Sequence, residues 1–361
     1  MLLNNFKNKN MKNIKIVSLT ACMAWMLALM FFTSCSNDED ASSYSGGPVI
    51  ESVMPSGYNT DGSMKPLTPV TLVDPKNYYV IHGKGLLGTT KVYFNDFDTY
   101  FKPTFVTDTD IIILVDENTP FAEASNQLKV VTNSGTATYN LTVAPPVPTF
   151  SGFNRINSEE GDEVTIKGKY FLDPIVTLAK TPTQPEVPVT IISSSLEQIV
   201  IKLPANAHHR NLAVTNISGT AVSKEAIGTA LYDEELYGMQ WGGPWAGKGV
   251  NFDYDGDSYQ GEKSWRWEFG QWDGGNWGFN VDMTPYKALR MAVKGSKNGQ
   301  VNFNVNGGAN YTIPVTTSWV YLEIPLSALG NPASVTMLTF QESNNDGGNI
   351  VLFDDIGFVL K

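Results

Sequence analysis

Two stretches of this sequence nearly repeat each other and decide the fold. Residues 80–86 read VIHGKGL, and residues 165–171 read TIKGKYF. A second pair follows in the same order, TNSGTA at residues 132–137 and TNISGTA at residues 215–221. Each stretch is a short run of β-forming residues that meets a glycine, which indicates a strand leading into a turn. The two pairs are offset by 85 and 83 residues, so the sequence predicts that one strand-rich unit has been duplicated.

The residues around the first copy favour an antiparallel sandwich. Short β-rich runs occur at residues 78–81, 91–94, 111–115 and 128–131, and turn residues separate them. None of the runs has a helical period. Evenly spaced short strands within about 95 residues are typical of a sandwich. The connector between the copies, APPVP at residues 144–148, is expected to be stiff and extended.

These motifs resemble the immunoglobulin-like IPT/TIG family. Domains of that family open with Pro-x-Ile, as at residues 48–50, carry the glycine-containing strand and turn quoted above, and later show a strand like IVIKLP at residues 199–204. The resemblance covers residues 48 to about 228. It implies two tandem sandwiches, at residues 48–144 and 145–230, which act as spacers. His82, His208 and His209 are interpreted as structural or surface residues.

The amino-terminal residues predict an export signal. A segment with four lysines and no acid is followed by an apolar run at residues 14–32 and then by Cys35. Thr33-Ser34-Cys35 resembles a bacterial lipobox, although Phe32 stands where Leu is usual. The resemblance implies that residues 1–34 are removed and that Cys35 carries lipid, and a single transmembrane anchor is the alternative. The acidic residues at 38–40, within a tether at residues 35–47, resemble the signal that sends such lipoproteins to the cell surface; a merely solvated linker is the alternative.

Charge and cysteine content limit the possible functions. Without the four signal lysines, 21 basic residues face 36 acidic ones, so the mature chain carries a net charge of −15. Such a surface repels phosphate backbones and argues against nucleic acid as a partner, whereas a neutral ligand fits. The other cysteine, Cys22, lies inside the signal. The mature chain therefore has no intramolecular disulfide and no zinc site built on cysteines.

The composition changes after residue 229, and residues 231–361 are the expected functional region. Seven of the eight tryptophans lie between Trp241 and Trp319. In the run at residues 301–306, alternation puts Val and Phe in a core and leaves Asn302 and Asn304 on the other face. In the run at residues 338–341, alternation likewise leaves Gln341 on the face opposite the core. Asparagine is a poor strand former, but amides donate and accept hydrogen bonds together, which suits sugar hydroxyls. Flat indole rings can cover the apolar face of a sugar.

The order of signals in this region resembles jelly-roll carbohydrate-binding modules and the carboxy-terminal domain of bacterial surface glycan-binding lipoproteins. The matching pieces include DMTPYKAL at residues 282–289, the strand at 319–326 and FDDIGF at 353–358. The resemblance implies a jelly-roll β-sandwich, and hence an all-β chain of three sandwiches. It also implies capture without cleavage of a polysaccharide at the outer membrane, beside a TonB-dependent transporter and a companion glycan-binding lipoprotein. A β-linked glucan, xyloglucan or mannan is the expected ligand.

The position of each aromatic residue, on a strand or in a loop, predicts whether it is structural or contacts a glycan. Trp265, Trp267 and Phe269 share one face of a strand, and we expect them, like Trp319, to be structural. A large ring in a glycine-rich loop is costly to expose unless it has a partner. The predicted glycan contacts are therefore Trp241, Trp245, Trp272 and Trp277, together with Asn302, Asn304 and Gln341.

Two further predictions for this region concern its acidic residues. Asp253, Asp255 and Asp257 alternate like the start of a calcium loop, and Asp355 resembles a residue of the closing segment that can add a ligand. A structural calcium is therefore one expectation, and a solvated acidic turn is the other. Glu262, Glu268, Glu323 and Asp354 are carboxylates that a glycoside hydrolase would need in a spaced pair, but no motif pairs any two of them. We expect no enzyme; a surface adhesin is the main alternative to glycan capture.

Overall fold

The computed structural model describes residues 46–245, 249–343 and 347–361, apart from the side chains of residues 241 and 242. The predicted signal, Cys35 and most of the tether lie outside the described residues. The described chain is all-β, as expected, with two short 3-10 helices, Pro103–Phe105 and Leu326–Leu329. Within the described ranges, neither these helices nor any other could cross a membrane.

The first unit is a sandwich whose sheets enclose a core of aliphatic and aromatic side chains. Its main sheets have the strand orders β1-β3-β6 and β5-β4-β7-β8, and β2 pairs with β9 in parallel. Val53, Ile81 and Phe94 are fully buried between them. The strands are β1 (Val49–Ser56), β2 (Leu72–Val73), β3 (Tyr78–Lys84), β4 (Thr89–Phe94), β5 (Phe97–Asp98), β6 (Asp110–Leu114), β7 (Gln127–Thr132), β8 (Gly135–Asn140) and β9 (Thr142–Val143).

The second unit repeats this architecture. Its sheets have the orders β10-β11-β15-β14 and β13-β12-β16-β17, and Ile166, Ile199 and Leu212 are buried in its core. The strands are β10 (Thr149–Phe153), β11 (Glu163–Lys169), β12 (Ile175–Leu178), β13 (Val187–Pro188), β14 (Thr190–Ser194), β15 (Gln198–Lys202), β16 (Asn211–Asn216) and β17 (Gly219–Ala226).

The repeated glycine has the same physical cause in both units. Gly83 lies in β3 opposite Ile50 of its antiparallel neighbour β1, and a Cβ there would come within 1.9 Å of the Val49 carbonyl oxygen. At Gly168 a Cβ would come equally close, 1.9 Å, to the Thr149 carbonyl oxygen. A side chain at either position would push the first strand of its unit away. The motif therefore marks a close approach of two backbones.

The third unit packs a six-stranded sheet against a five-stranded one. The first has the order β20-β21-β28-β23-β26 with β18 added to β28, and the second has the order β19-β22-β27-β24-β25. The strands are β18 (Ala230–Tyr232), β19 (Gln240–Pro244), β20 (Val250–Tyr254), β21 (Ser264–Glu268), β22 (Gly274–Asp282), β23 (Tyr286–Gly295), β24 (Gly299–Val305), β25 (Tyr311–Val315), β26 (Val320–Pro325), β27 (Ser334–Glu342) and β28 (Ile350–Leu360).

Aromatic rings dominate the core of the third unit. Trp265, Trp267 and Phe269 are fully buried, which confirms the assignment of this strand face to the core. Trp267 and Phe269 stack with ring centroids 4.3 Å apart. Trp319 is only partly buried, and its Nε1 donates to Asp257 Oδ1 at 3.0 Å. Stacked rings of this size supply much of the apolar area that a small sandwich needs.

Buried hydrogen bonds join the second and third units. The Asp233 carboxylate accepts from the backbone N–H of Ile156, and Gln260 Oε1 accepts from the N–H of Phe153 at 3.3 Å. Asn157 bonds both backbone groups of Ala230, at 3.0 and 2.8 Å. Asp233 is fully buried, and burial raises its pKa to about 7. The third unit is thus held against the second by polar contacts, of which those of Asp233 and Gln260 are buried.

Candidate functional site

The outward face of the five-stranded sheet carries a field of neutral polar side chains, which we call the amide face. Its inward neighbours Val301, Phe303, Leu338 and Phe340 are buried in the core, so alternation turns the residues between them outward. The amide face consists of Asn276, Asn302, Asn304, Thr339 and Gln341, all of which are partly exposed.

Strand register aligns the amide face into two rows. Asn302 lies opposite Gln341, and Asn304 lies opposite Thr339, which in turn lies opposite Asn276. Thr339 Oγ1 donates to Asn276 Oδ1 at 2.9 Å. Neighbouring strands are separated by about 4.8 Å, so three adjacent strands present donors and acceptors over roughly 10 Å. The rows offer these groups in the fixed spacing that an extended polar ligand requires.

Two half-exposed indoles, the tryptophan pair Trp245 and Trp272, stand at the end of one row. Their exposed fractions are 51% and 50%. Trp245 Nε1 donates to the carbonyl oxygen of Trp272 at 3.1 Å. Gln341 Nε2 lies 3.5 Å from that same oxygen, so the pair adjoins the amide face. Large apolar rings are exposed here beside polar groups, the combination that sugar rings need.

The backbone of Trp272 has an unusual conformation and a buried hydrogen-bond partner. Trp272 has φ of 56°, a left-handed conformation that a bulky residue rarely adopts. Its N–H donates to Glu342 Oε2 at 3.1 Å, and Glu342 is buried. Strain of this kind persists where surrounding contacts determine the conformation, and it concentrates at functional sites.

A buried aspartate and a glycine complete the support of the pair. Asp273 is fully buried, and its carboxylate accepts from the N–H of Gly274 at 2.8 Å and from Trp267 Nε1 at 3.3 Å. A Cβ at Gly274 would lie 2.2 Å from Cζ2 of Trp245. The absence of a side chain at Gly274 therefore lets the Trp245 ring lie directly over the strand.

The structure corrects one predicted contact and leaves another undescribed. Trp277 is fully buried, with its ring centroid 4.3 Å from that of Trp265. No face of its ring is available to a ligand, so Trp277 is a core residue and not a glycan contact. The backbone of Trp241 pairs with Trp277 in the sheet, and its side chain lies outside the described residues.

The structure does not gather the four aspartates predicted for calcium. Asp253 forms an ion pair with Lys263 at 3.0 Å, Asp257 accepts from Trp319, and Asp255 is exposed. Asp355 is fully buried elsewhere, where Arg290 Nε donates to its Oδ1 at 2.7 Å. Among the described residues, no three His, Cys, Asp or Glu side chains are placed to hold a metal ion.

Sequence reasoning missed the residues that hold the site together. Glu342 and Asp273 act from behind the tryptophan pair, and Glu342 lies 70 residues from the Trp272 whose N–H it accepts. Alternation in the run at residues 338–341 predicts that Thr339 shares the outward face with Gln341, and the structure agrees. Asn276 extends the amide face beyond the predicted residues.

Comparisons with known proteins agree with this architecture. No family model matches the chain. A curated IPT/TIG domain-containing protein of Bacteroides ovatus is 29% identical over 196 residues, which is 50% of this chain and 38% of that protein. The chain thus spans well under half the length of this relative.

Solved structures include a protein of similar fold. The surface glycan-binding protein PbSGBP-B from Prevotella bryantii aligns with a TM-score of 0.50 at 16% identity, covering 88% of this chain and 99% of that one. The two proteins share a fold. An SGBP-B from a complex xyloglucan utilization locus in Bacteroides uniformis aligns over 87% of this chain and 100% of its own, at 18% identity and a TM-score of 0.36.

Proposed function

We propose that this chain is a non-catalytic, surface-exposed lipoprotein that binds a neutral polysaccharide through the tryptophan pair and the amide face. The observation that carries the proposal is the contact between these two features. Trp272 offers a half-exposed ring, and its carbonyl oxygen lies within reach of Gln341. A chain of sugars could stack on the rings while its hydroxyl groups meet the amide rows.

The chemistry of the site supports a neutral ligand. The amide face carries amides and a hydroxyl, and the nearest carboxylates, Asp273 and Glu342, are buried behind it and accept hydrogen bonds from the protein. The name of PbSGBP-B, whose fold this chain shares, supports glycan capture at a cell surface. We infer a β-linked glucan, xyloglucan or mannan, because an extended chain can follow a flat sheet face.

The cellular setting that we propose rests on the sequence. A lipid on Cys35 would anchor the chain to the outer membrane, and the two immunoglobulin-like units would hold the third unit away from the surface. A TonB-dependent transporter and a companion glycan-binding lipoprotein are the partners we infer. We expect the affinity of this single open face to be weak even when it contacts several sugar units, because ordering a flexible ligand costs free energy.

Affinity electrophoresis with plant and yeast polysaccharides tests the proposal. The protein is the chain from residue 36 onward, and the products are examined for released sugars. We expect retardation by at least one β-linked polysaccharide, weakened by Trp245→Ala and Trp272→Ala, without released sugar. Trp319→Phe is the matched control, since Trp319 lies outside the five-stranded sheet. Retardation by no polysaccharide would favour an adhesin, and released oligosaccharides would favour a glycoside hydrolase.

A further inference from the structure

The turn after the repeated glycine carries a different residue in each immunoglobulin-like unit. Gly85 and Tyr170 occupy corresponding positions in the stretches at residues 80–86 and 165–171. Both have φ of 66°, in the left-handed region. Glycine adopts this conformation freely, whereas a bulky residue is strained in it because its Cβ crowds the backbone. Tyr170 is therefore strained at a position where the first unit is relaxed.

Hydrogen bonds confirm that the two turns correspond. The N–H of Leu86 donates to the carbonyl oxygen of Asp108 at 2.9 Å, and the N–H of Phe171 donates to that of Leu196 at 3.1 Å. Leu86 and Phe171, which follow the left-handed residues, are buried in the cores of their units. Because the first unit forms the same turn with glycine, the turn itself does not require Tyr170.

The Tyr170 ring contacts the other unit. It meets the ring of Phe121 nearly edge to face, with centroids 6.1 Å apart and planes at 66°. Phe121 belongs to the first unit and packs against its core. Aromatic rings attract one another in this arrangement and at this separation. A glycine at position 170 could not make this contact, so the contact explains why a strained tyrosine stands there.

The connector leaves few torsions free between the two units. The N–H of Ala144 donates to the carbonyl oxygen of Val73 in the first unit at 2.8 Å. The carbonyl oxygen of the next residue, Pro145, already accepts from Ser218 Oγ in the second unit. Proline fixes its own φ and restricts the residue before it. The backbone junction is thus confined to residues 144 and 145.

A buried amide ties the connector to the strained turn. Asn216 Nδ2 donates to the carbonyl oxygens of Pro146 and Tyr170, both at 2.9 Å, and Asn216 is buried. The connector and the backbone that carries the Tyr170 ring are therefore held together by one side chain of the second unit.

We propose that Phe121 and Tyr170 form an aromatic latch that fixes the angle between the first and second units. The connector restricts rotation at the junction, and the ring contact selects one angle from those that remain. Buried hydrogen bonds already join the second unit to the third. The third unit would then keep a fixed distance and direction from the first. The proposal concerns the junction and does not depend on glycan binding.

The geometry favours a latch over a ligand contact for the Tyr170 ring. A cavity of about 530 Å³ lies between the units beside Phe121 and Tyr170. Three of the polar side chains that line it bond within the protein: Lys76 pairs with Glu117 at 2.6 Å, and Ser218 donates to the connector. A polar ligand in the cavity would have to compete with these bonds, whereas the Phe121 ring contacts Tyr170 without any ligand.

Double electron–electron resonance tests the latch through the distance between the units. Spin labels are attached at Leu87→Cys and Ile192→Cys, two exposed positions, in the chain from residue 36 onward, which has no other cysteine. We expect a narrow distance distribution in the parent. The width should at least double in Tyr170→Gly and in Phe121→Ala, and it should stay that of the parent in Tyr170→Phe, which keeps the ring.

Thermal unfolding separates the strain from the contact. Tyr170→Ala removes the ring but keeps a Cβ in the left-handed conformation, whereas Tyr170→Gly removes both. The two variants should have equally wide distance distributions, and Tyr170→Gly should unfold at the higher temperature. A wide distribution in the parent, or an unchanged width in Tyr170→Gly, would overturn the proposal. Weaker binding of a glycan by Tyr170→Gly without a wider distribution would assign the ring to a ligand and would also overturn it.

Discussion

Replacing Trp272 with alanine removes a ring from the proposed site while leaving its frame in place. The left-handed backbone at this position carries a Cβ in both proteins, so the substitution adds no new strain. The N–H of Trp272 still reaches Glu342, and its carbonyl still accepts from Trp245, because both bonds use backbone atoms. The change in affinity should therefore report the ring alone.

The size of the effect follows from the exposed area of the ring. A tryptophan side chain buries about 200 Å² when fully covered, and Trp272 is 50% exposed, which leaves about 100 Å² for a ligand. At about 25 cal/mol per Å², covering all of it is worth about 2.5 kcal/mol, or about 70-fold in Kd. A sugar that covers one face gains about half of this free energy, or about eightfold.

Calorimetry with the chain from residue 36 onward, titrated with the oligosaccharide that binds it, measures this difference. We expect Trp272→Ala to weaken binding by a factor between about 8 and about 70, with thermal stability close to that of the parent. A change of less than twofold would refute the assignment of the ring to the ligand. Equal losses in Trp319→Phe would show that the effect is not local to the site.

Three other substitutions test the frame of the site and the junction. Gly274→Ala should displace the Trp245 ring and strain the sheet, because its Cβ would lie 2.2 Å from Cζ2 of Trp245 and 2.6 Å from the Phe340 carbonyl oxygen. Calorimetry should show a loss of affinity at least as large as that of Trp245→Ala. Glu342→Ala should lower the free energy of unfolding by about 1–3 kcal/mol, because it removes the acceptor of the Trp272 N–H. Indole fluorescence should change in Glu342→Ala and stay close to that of the parent in Glu342→Gln, which keeps an acceptor. Asp233 has its pKa raised to about 7 in the folded chain, so its contribution to stability is complete below about pH 4 and is lost as the pH rises through about 7, by up to about 4 kcal/mol. Asp233→Asn should remove this pH dependence from the thermal stability. An unchanged profile would show that Asp233 does not cause it.

Much of the fold could be predicted because its signals are local. Alternation in β24 and β27 is enough to separate buried from outward residues, and the repeated glycine is visible without knowing that it lies against Val49 or Thr149. The exposure of Trp245 and Trp272 also followed from their glycine-rich surroundings. These signals depend on a few neighbouring residues.

The rest depended on contacts that are distant in sequence. Glycines lie close to Trp277 on both sides, as they would in a loop. In the structure Trp277 pairs with Leu338, and this strand register places its ring in the core. Glu342 could not be linked to Trp272 before the strands were paired. The partners of the alternating acids at residues 253–257 were also hidden, because Lys263 pairs with Asp253 and Trp319 donates to Asp257 only in the folded chain.

The central claim is that a glycan lies on the amide face and the tryptophan pair, and side-chain NMR tests it most directly. Xylogluco-, cello- and manno-oligosaccharides are titrated into the labelled chain while indole N–H and side-chain amide signals are followed. The account predicts shifts for Trp245, Trp272, Asn302 and Gln341 with at least one of them, and no shift for Trp319. Shifts confined to other residues, or none with any oligosaccharide, would contradict it.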